Sequence, residues 1–505
     1  MTGIPTAVPP TVTGDTLAAF KAAQGQRLAG DDLAKSTFTQ SGSPTSGLTF
    51  YDLEPGAKLL YPVLTPLRNS IPRVSGRGGI QANWKAITGV NTTGVRAGVS
   101  GGNRGGVIAV RTQDMNAVYR GLGLEASVDF EADYAAEGLD DVRALAVQNL
   151  LESLMIQEEQ MILGGNASVA LGTTATPVVT ASNSGGALAA GTWSVIAVGL
   201  TLEGYLNGSV TGGIQGQMTR TNADGSSDQF GGGAAKPSTA ATGTTTGSAG
   251  SLAATVAPLA GAVAYAWFWG AAGAEKLGAI TTINSVVITD LAVGTQTAAS
   301  LGGGDNSQNS LSFDGLLYQA FKGGSNAYVQ VMPTGTAGTG TPLTADGAGG
   351  IVEIETALKA FWDNYRLSPQ EIWVSSQEAQ TISRKILTGN ANSAQRFVFN
   401  TDQALLGGGV MVRTYLNRYS MVGGQTLDIK VHPNMPAGTI LFRTTRLPYP
   451  LANVTNVTQM RMRRDYYQIE WPLRTRRYEY GVYCDGVLQN YFPPAFGVIT
   501  NIANG

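Results

Sequence analysis

The sequence predicts an α+β chain interrupted by an inserted all-β unit, and three observations carry that prediction. The stretch 140–163 holds an apolar row at helical spacing. The stretch 170–305 then has only nine charged residues in 136 positions, with alternating apolar runs separated by Gly, Ser, Thr and Asn. From Leu311 onward helical and strand patterns mix again, and the chain closes on a strand-rich, arginine-rich region.

Taken in order, residues 1–50 are polar, with Pro, Gly, Ser and Thr throughout and a short helical pattern near 16–23. Such a segment buries little of its own surface, so it is expected either disordered or laid against something else. Two β-rich runs follow at 78–90 and 106–118. Ile80, Ala82 and Trp84 alternate in the first, and Val107, Ala109 and Val110 mark the second. Between them the glycine-rich stretch 94–106 predicts a mobile tip. A lone two-stranded ribbon is marginal in water, so this one is expected to rest on a neighbouring subunit.

The clearest helix is 140–163. Asp140 and Asp141 suit its N-terminus, Gly164 and Gly165 its end. Val142, Ala146, Leu150 and Leu154 form one i, i+4 row, widened by Val147, Leu151, Met155 and Ile162. Its carboxylates Glu152, Glu158 and Glu159 are expected at a solvated edge or paired with a neighbouring subunit.

Within 170–305, Trp193, Val195 and Ala197 alternate, as do Val263, Tyr265, Trp267 and Trp269, and residues 286–289 are β-branched. Short strands with turn residues between them predict an inserted β-sandwich, with 234–250 as an exposed loop. The uncharged run 252–274 reads as half-buried strand by its period of two, not as a membrane span. Beyond it, 350–365 predicts a helix through Val352, Ile354, Ala357, Leu358 and Phe361, and 371–374 a short strand. Ser375 and Glu378 have capping-box spacing before a helix to Leu387. Strands are expected through 440–492, with Tyr466, Ile469, Trp471, Tyr478, Tyr480 and Val482 among their residues.

Composition narrows the function. Charged residues are 13% of the chain against a usual ~25%, and glycine accounts for 67 of 505 residues. The formal net charge is −2, so the whole chain is no polycation seeking nucleic acid. The N-terminus has neither a basic start nor an apolar run, which predicts no signal peptide and a soluble intracellular product. One cysteine and one histidine exclude an intrachain disulfide, cysteine zinc sites and motifs needing two histidines. His432 is expected to be structural or at the surface, at a strand end. Cys484, on a strand between apolar residues, is expected to be buried and inert. Gly101-Gly102-Asn103-Arg104-Gly105-Gly106 follows no βα pattern and predicts no phosphate loop, while Asp224 and Asp228 flank a solvated turn. No catalytic residue, metal site or cofactor is predicted.

A basic cluster remains. Arg443, Arg446, Arg461, Arg463, Arg464, Arg474, Arg476 and Arg477 face only Asp465 and Glu470 in that stretch, a local balance of +8 − 2 = +6. Spacing of two puts Arg461 with Arg463, and Arg474 with Arg476, on one strand face each. Such a surface suits packaged nucleic acid or acidic neighbours; ordinary edge charges are the alternative.

The order of parts resembles the major capsid proteins of tailed bacteriophages, with the Hong Kong 97-like fold. A polar arm, a ribbon with a Gly-rich tip, a long helix ending Leu163-Gly164-Gly165-Asn166, and a helix–strand–capped-helix domain carry the resemblance. So do Phe313-Asp314-Gly315-Leu316-Leu317-Tyr318 and a final arginine-bearing strand, over about 370 residues. It implies an N-arm at 1–72, an extended loop at 73–128 and a peripheral domain with spine helix at 129–169. It further implies an immunoglobulin-like or fibronectin-like insertion at 170–305, an axial domain with junctions at 306–440, and peripheral strands at 441–505. By the same resemblance, hexamers and pentamers would build an icosahedral virion shell around double-stranded DNA, assembled in the host cytoplasm with no membrane. Portal, separate scaffold or maturation protease, and decoration protein would be its partners. Arg461, Arg463, Arg464, Arg474, Arg476 and Arg477 are then candidate interface or DNA-facing residues, and Trp84, Lys85 and Arg104 candidate loop contacts. Lys85 has no partner motif, so no covalent cross-link is expected. An encapsulin-type compartment and a Gly-rich fibre protein are the rivals; the fibre predicts a repeat at fixed period, and none is present.

Overall fold

The computed structural model describes residues 63–90, 100–102, 104, 110–137, 141–388, 411–421 and 423–503. Residues 1–62, with the helical pattern near 16–23, and most of the glycine-rich tip lie outside the described residues. The architecture is mixed α and β, with many sheets and few helices.

The long helix spans Val142–Gly164, and Asp141 caps it by accepting from the Ala144 N–H at 3.0 Å. Crowding requires glycine at its end. A Cβ on Gly164 would stand 2.2 Å from Leu202 Cδ2, and one on Gly165 2.4 Å from the Phe313 carbonyl. Val142, Ala146, Leu150, Leu154 and Ile162 are buried as the i, i+4 row predicts. They face a four-stranded sheet in the order Arg73–Ser75, Thr458–Glu470, Arg477–Asn490, Arg120–Asp129, the first pair parallel and the others antiparallel.

A second, six-stranded sheet runs Tyr328–Val331, Phe496–Thr500, Ile440–Arg443, Glu371–Val374, Gln425–Val431, Thr414–Asn417. Helices Val352–Tyr365 and Ser376–Thr388 pack on it, Phe361 meeting Phe442 at 6.0 Å between ring centroids. One apolar core joins Leu154 and Ile162 of the long helix to Leu488 of the first sheet and Phe442 of the second. One sequence expectation needs correction. Val352 is exposed rather than on the apolar face. Across the expected division at 440/441, Ile440–Arg443 pairs with Glu371–Val374 on one side and with Phe496–Thr500 on the other. Strand-rich texture does not reveal which sheet a strand joins.

The serine half of the capping box is present: the Glu378 N–H donates to Ser375 Oγ at 3.3 Å, and the Glu378 carboxylate accepts from that hydroxyl at 3.2 Å. The same carboxylate accepts from the Gly438 N–H at 2.9 Å. Burial pushes the Glu378 carboxyl up to about 7, against those hydrogen bonds. The folded state therefore keeps a proton that the unfolded chain releases above its ordinary 4.5. Stability falls as pH rises from about 4.5 to 7, by a few kcal/mol, on the order of 3. Glu378→Gln, which keeps an acceptor for Gly438, is expected to flatten that slope in urea melts at pH 5 and pH 8. An unchanged slope would assign the pH dependence elsewhere.

Residues 170–305 contain a three-stranded sheet, Ser285–Ile288, Ser251–Thr255, Val178–Ser182, and a four-stranded one, Lys276–Thr281, Ala264–Gly270, Gly191–Leu200, Ala241–Thr245. Val195, Leu252, Trp267 and Ile288 share the core between them. The strand Ala264–Gly270 is not half-buried as its alternation implied. Tyr265, Trp267 and Trp269 enter that core, while Ala264, Ala266 and Phe268 enter a second one on the other face. The 234–250 loop is also a correction: Ala241–Thr245 is a paired strand and Ala234 and Ala235 are buried, because threonine and small residues satisfy a ladder without an apolar signature. The chain enters and leaves this segment at one place. Asn166 Nδ2 donates to the carbonyls of Val169 and Ser307 at 2.7 and 2.9 Å, and the Leu171 N–H donates to Ser307 Oγ at 2.9 Å. No helix among the described residues is long and apolar enough to cross a membrane.

Candidate assembly surface

The ribbon pairs Gln81–Val90 with Val110–Val118 antiparallel, Trp84 opposite Met115 and Lys85 opposite Asp114. It is attached at its base, where Ala82 is buried and Trp84 packs edge-on against Tyr491 at 5.9 Å. Ile80, expected to alternate inward, is 77% exposed because the bend at 78–80 precedes the strand. Ile87 is 70% exposed, Val110 51%, and no residue of Val110–Val118 is buried. Lys85 meets Asp114 across the ribbon at 3.5 Å, both exposed, and Arg104 is exposed. Trp84 thus contacts its own chain.

The six candidate arginines divide. Arg461 and Arg463 reach neighbouring groups: Gln489 at 3.5 Å for the first, Asp485 at 3.0 Å for the second. Arg464 stacks 3.8 Å from the Tyr467 ring centroid, and Arg477 pairs with Asp129 at 2.7 Å. Arg474 and Arg476 lie in the exposed turn between the two long strands, not on a strand face, and have no side-chain partner among the described residues. Irregular pairing at Met462, Arg464 and Tyr467 also breaks the period of two in the preceding strand. Arg443, counted in the same cluster, is buried and bonded to Glu371 at 3.1 Å.

A buried polar node, which sequence reasoning missed, anchors the chain where it enters the fold. Glu158 and Glu159 are fully buried, not at a solvated edge. Glu159 accepts from the Leu67 and Arg68 N–H groups at 2.8 and 2.6 Å and from His432 Nε2 at 2.6 Å. The Asn434 N–H donates to His432 Nδ1, which leaves Nε2 as the ring's donor to Glu159. Glu158 takes Arg68 Nε and Arg73 Nη1, both at 2.8 Å, and the Tyr466 hydroxyl. Arg73 also grips Asp465 at 2.7 Å. Burial opposes the Arg73 charge, but the Asp465 hydrogen bond and Glu158 outweigh it and raise its pKa. The signal was available: Glu158 continues the row of Val142, Ala146, Leu150 and Leu154 toward Ile162, and a carboxylate in an apolar row must find partners.

The node leaves no reactive group. His432 is buried and spent on Glu159, and burial foremost, with Glu158 beside it, pushes the Cys484 thiol up to about 12. Among the described residues no group of three or more His, Cys, Asp or Glu could hold a metal ion. Asp224 accepts from Ser226, and Asp228 pairs with Arg220 at 2.8 Å, within the turn region of one hairpin. What the arrangement offers is recognition: an exposed apolar ribbon, free guanidinium groups at a hairpin tip, and a firmly held chain entry.

No family model matches the chain, and no curated protein sequence does. Among solved structures, it is similar to the capsid of a native GTA particle (8% identity, 90% of this chain and 96% of that one, TM-score 0.40). It is similar to the capsid of Myoviridae phage XM1 (10% identity, 95% and 100%, TM-score 0.37). A third is the holo-SrpI encapsulin complex from Synechococcus elongatus PCC 7942 (8% identity, 90% and 92%, TM-score 0.36).

Proposed function

We propose that the chain is a major capsid protein, assembling as hexamers and pentamers into an icosahedral virion shell around double-stranded DNA. One observation carries the reading. The ribbon exposes Ile87 and Val110 and buries nothing along Val110–Val118, an arrangement that gains stability only when a neighbour covers it. Arg474 and Arg476 at the hairpin tip are suited to phosphates or acidic neighbours. The segment 170–305, which has apolar cores of its own, fits an immunoglobulin-like insertion on the shell's surface. Portal, scaffold or protease, and decoration proteins are the partners this reading calls for.

Removing residues 1–50 tests it. These polar residues belong in this reading to contacts between subunits, so the shortened protein is expected to fold with an unchanged urea midpoint and to form no closed shells. Normal shells from that protein would refute the assignment of the arm. Nucleic acid inside shells of the intact chain supports the phage reading; cargo enzymes inside would favour an encapsulin-type compartment.

A further inference from the structure

One end of the first sheet carries unpaired charges of both signs beside exposed apolar side chains. The turn 471–476 joins the strands Thr458–Glu470 and Arg477–Asn490, and every residue of it is exposed. The short helix Phe130–Ala135 follows the strand Arg120–Asp129 at the same end, and its Phe130 N–H donates to the Arg476 carbonyl at 3.2 Å. Phe130 packs on Tyr478 at 4.6 Å between ring centroids, and the Arg143 guanidinium lies 3.9 Å from the same Tyr478 ring. Turn and helix are therefore joined in a fixed relation before any partner arrives, which lowers the cost of binding one.

Some of the charges there are already used. Arg477 pairs with Asp129 at 2.7 Å and Arg143 with Glu470 at 3.4 Å. What remains is Arg474 and Arg476 on the turn, with Glu131 and Glu137 on and just past the helix. All four are exposed and have no ion pair among the described residues. The same two segments expose Tyr134 at 65%, Leu473 at 59% and Trp471 at 37%. Tyrosine, tryptophan and arginine are the residues that most often carry binding energy where proteins meet. Exposed ion pairs contribute little energy, so the apolar groups would supply the affinity and the charges the register.

The surface is complementary to itself, because it offers two cations on one element and two anions on the next. We infer that the turn 471–476 of one copy seats on the helix Phe130–Ala135 of a second copy, Arg474 and Arg476 against Glu131 and Glu137. Trp471, Leu473 and Tyr134 are covered in that contact. Charge selects a second copy over nucleic acid as the partner of these arginines. A phosphate chain reaching them would also meet Glu131, Glu137 and the half-buried Asp133, and like charges repel. This contact rests on the proposal that copies of the chain assemble, and fixes which surfaces meet.

Charge reversal in the full chain, under the conditions in which the intact chain forms shells, tests it. Arg474→Glu/Arg476→Glu and Glu131→Arg/Glu137→Arg are each expected to lower the yield of closed shells in negative stain by about tenfold or more. The urea midpoint of each is expected to stay unchanged, since these side chains pair with nothing in their own chain. A chain carrying all four substitutions is expected to regain shells, because opposite charges meet again. Normal shells from either double variant would overturn the contact and leave the shell reading standing. A fourfold variant as defective as the doubles would overturn it too, and would point to nucleic acid as the partner of the arginines. An intact chain that stays monomeric would overturn the shell reading, and this contact with it.

Discussion

Glu159→Ala is expected to lower the free energy of unfolding by about 3–5 kcal/mol. The side chain is fully buried and is the shared acceptor of three donors, the Leu67 and Arg68 amides and His432 Nε2. Truncation removes all three acceptor contacts at once and leaves a void at the crossing of helix, chain entry and second sheet. Glu159→Gln keeps one acceptor oxygen and is expected to lose less. Urea unfolding gives the energy, and hydrogen exchange locates it: amides at Leu67 and Arg68 should lose protection, while those of the all-β segment should not. A loss below about 1 kcal/mol would show that water replaces the carboxylate at little cost.

Trp267→Ala is expected to cost a similar amount, about 3–5 kcal/mol, but in another place. Trp267 is fully buried in the middle strand between Gly191–Leu200 and Lys276–Thr281, and its Nε1 donates to Thr281 Oγ1 at 2.8 Å. Residues 170–305 have cores of their own, so the loss should show as earlier opening of that segment. Exchange rates in Glu371–Val374 are expected to stay as they were. If both regions loosen together, the segment and the rest unfold as one cooperative unit, and its description as an insertion with its own core fails.

These two sites mark the limits of what the sequence reveals. Long-period signals are legible: the row from Val142 to Ile162, the Ser375–Glu378 spacing and the Trp-rich alternation each report a local geometry. Partner choice across the chain is not. Glu158 finds Tyr466 308 residues away, and Glu159 finds His432 273 residues away. Arg443, counted as one more surface charge, instead enters the core beside Glu371. The strand Ala241–Thr245 is hidden for another reason, since Thr and Gly pair in a ladder without an apolar pattern. The ribbon was legible as two runs, but the bend that exposes Ile80 depends on Gly79 adopting a φ of 122°.

The most direct test of the shell reading is the mass of the intact protein in solution by light scattering, with negative-stain images of the same fraction. The account predicts particles of five or six 52.4 kDa subunits, or closed shells built from them, once a scaffold is co-expressed. A protein that remains a 52.4 kDa monomer under those conditions would contradict it.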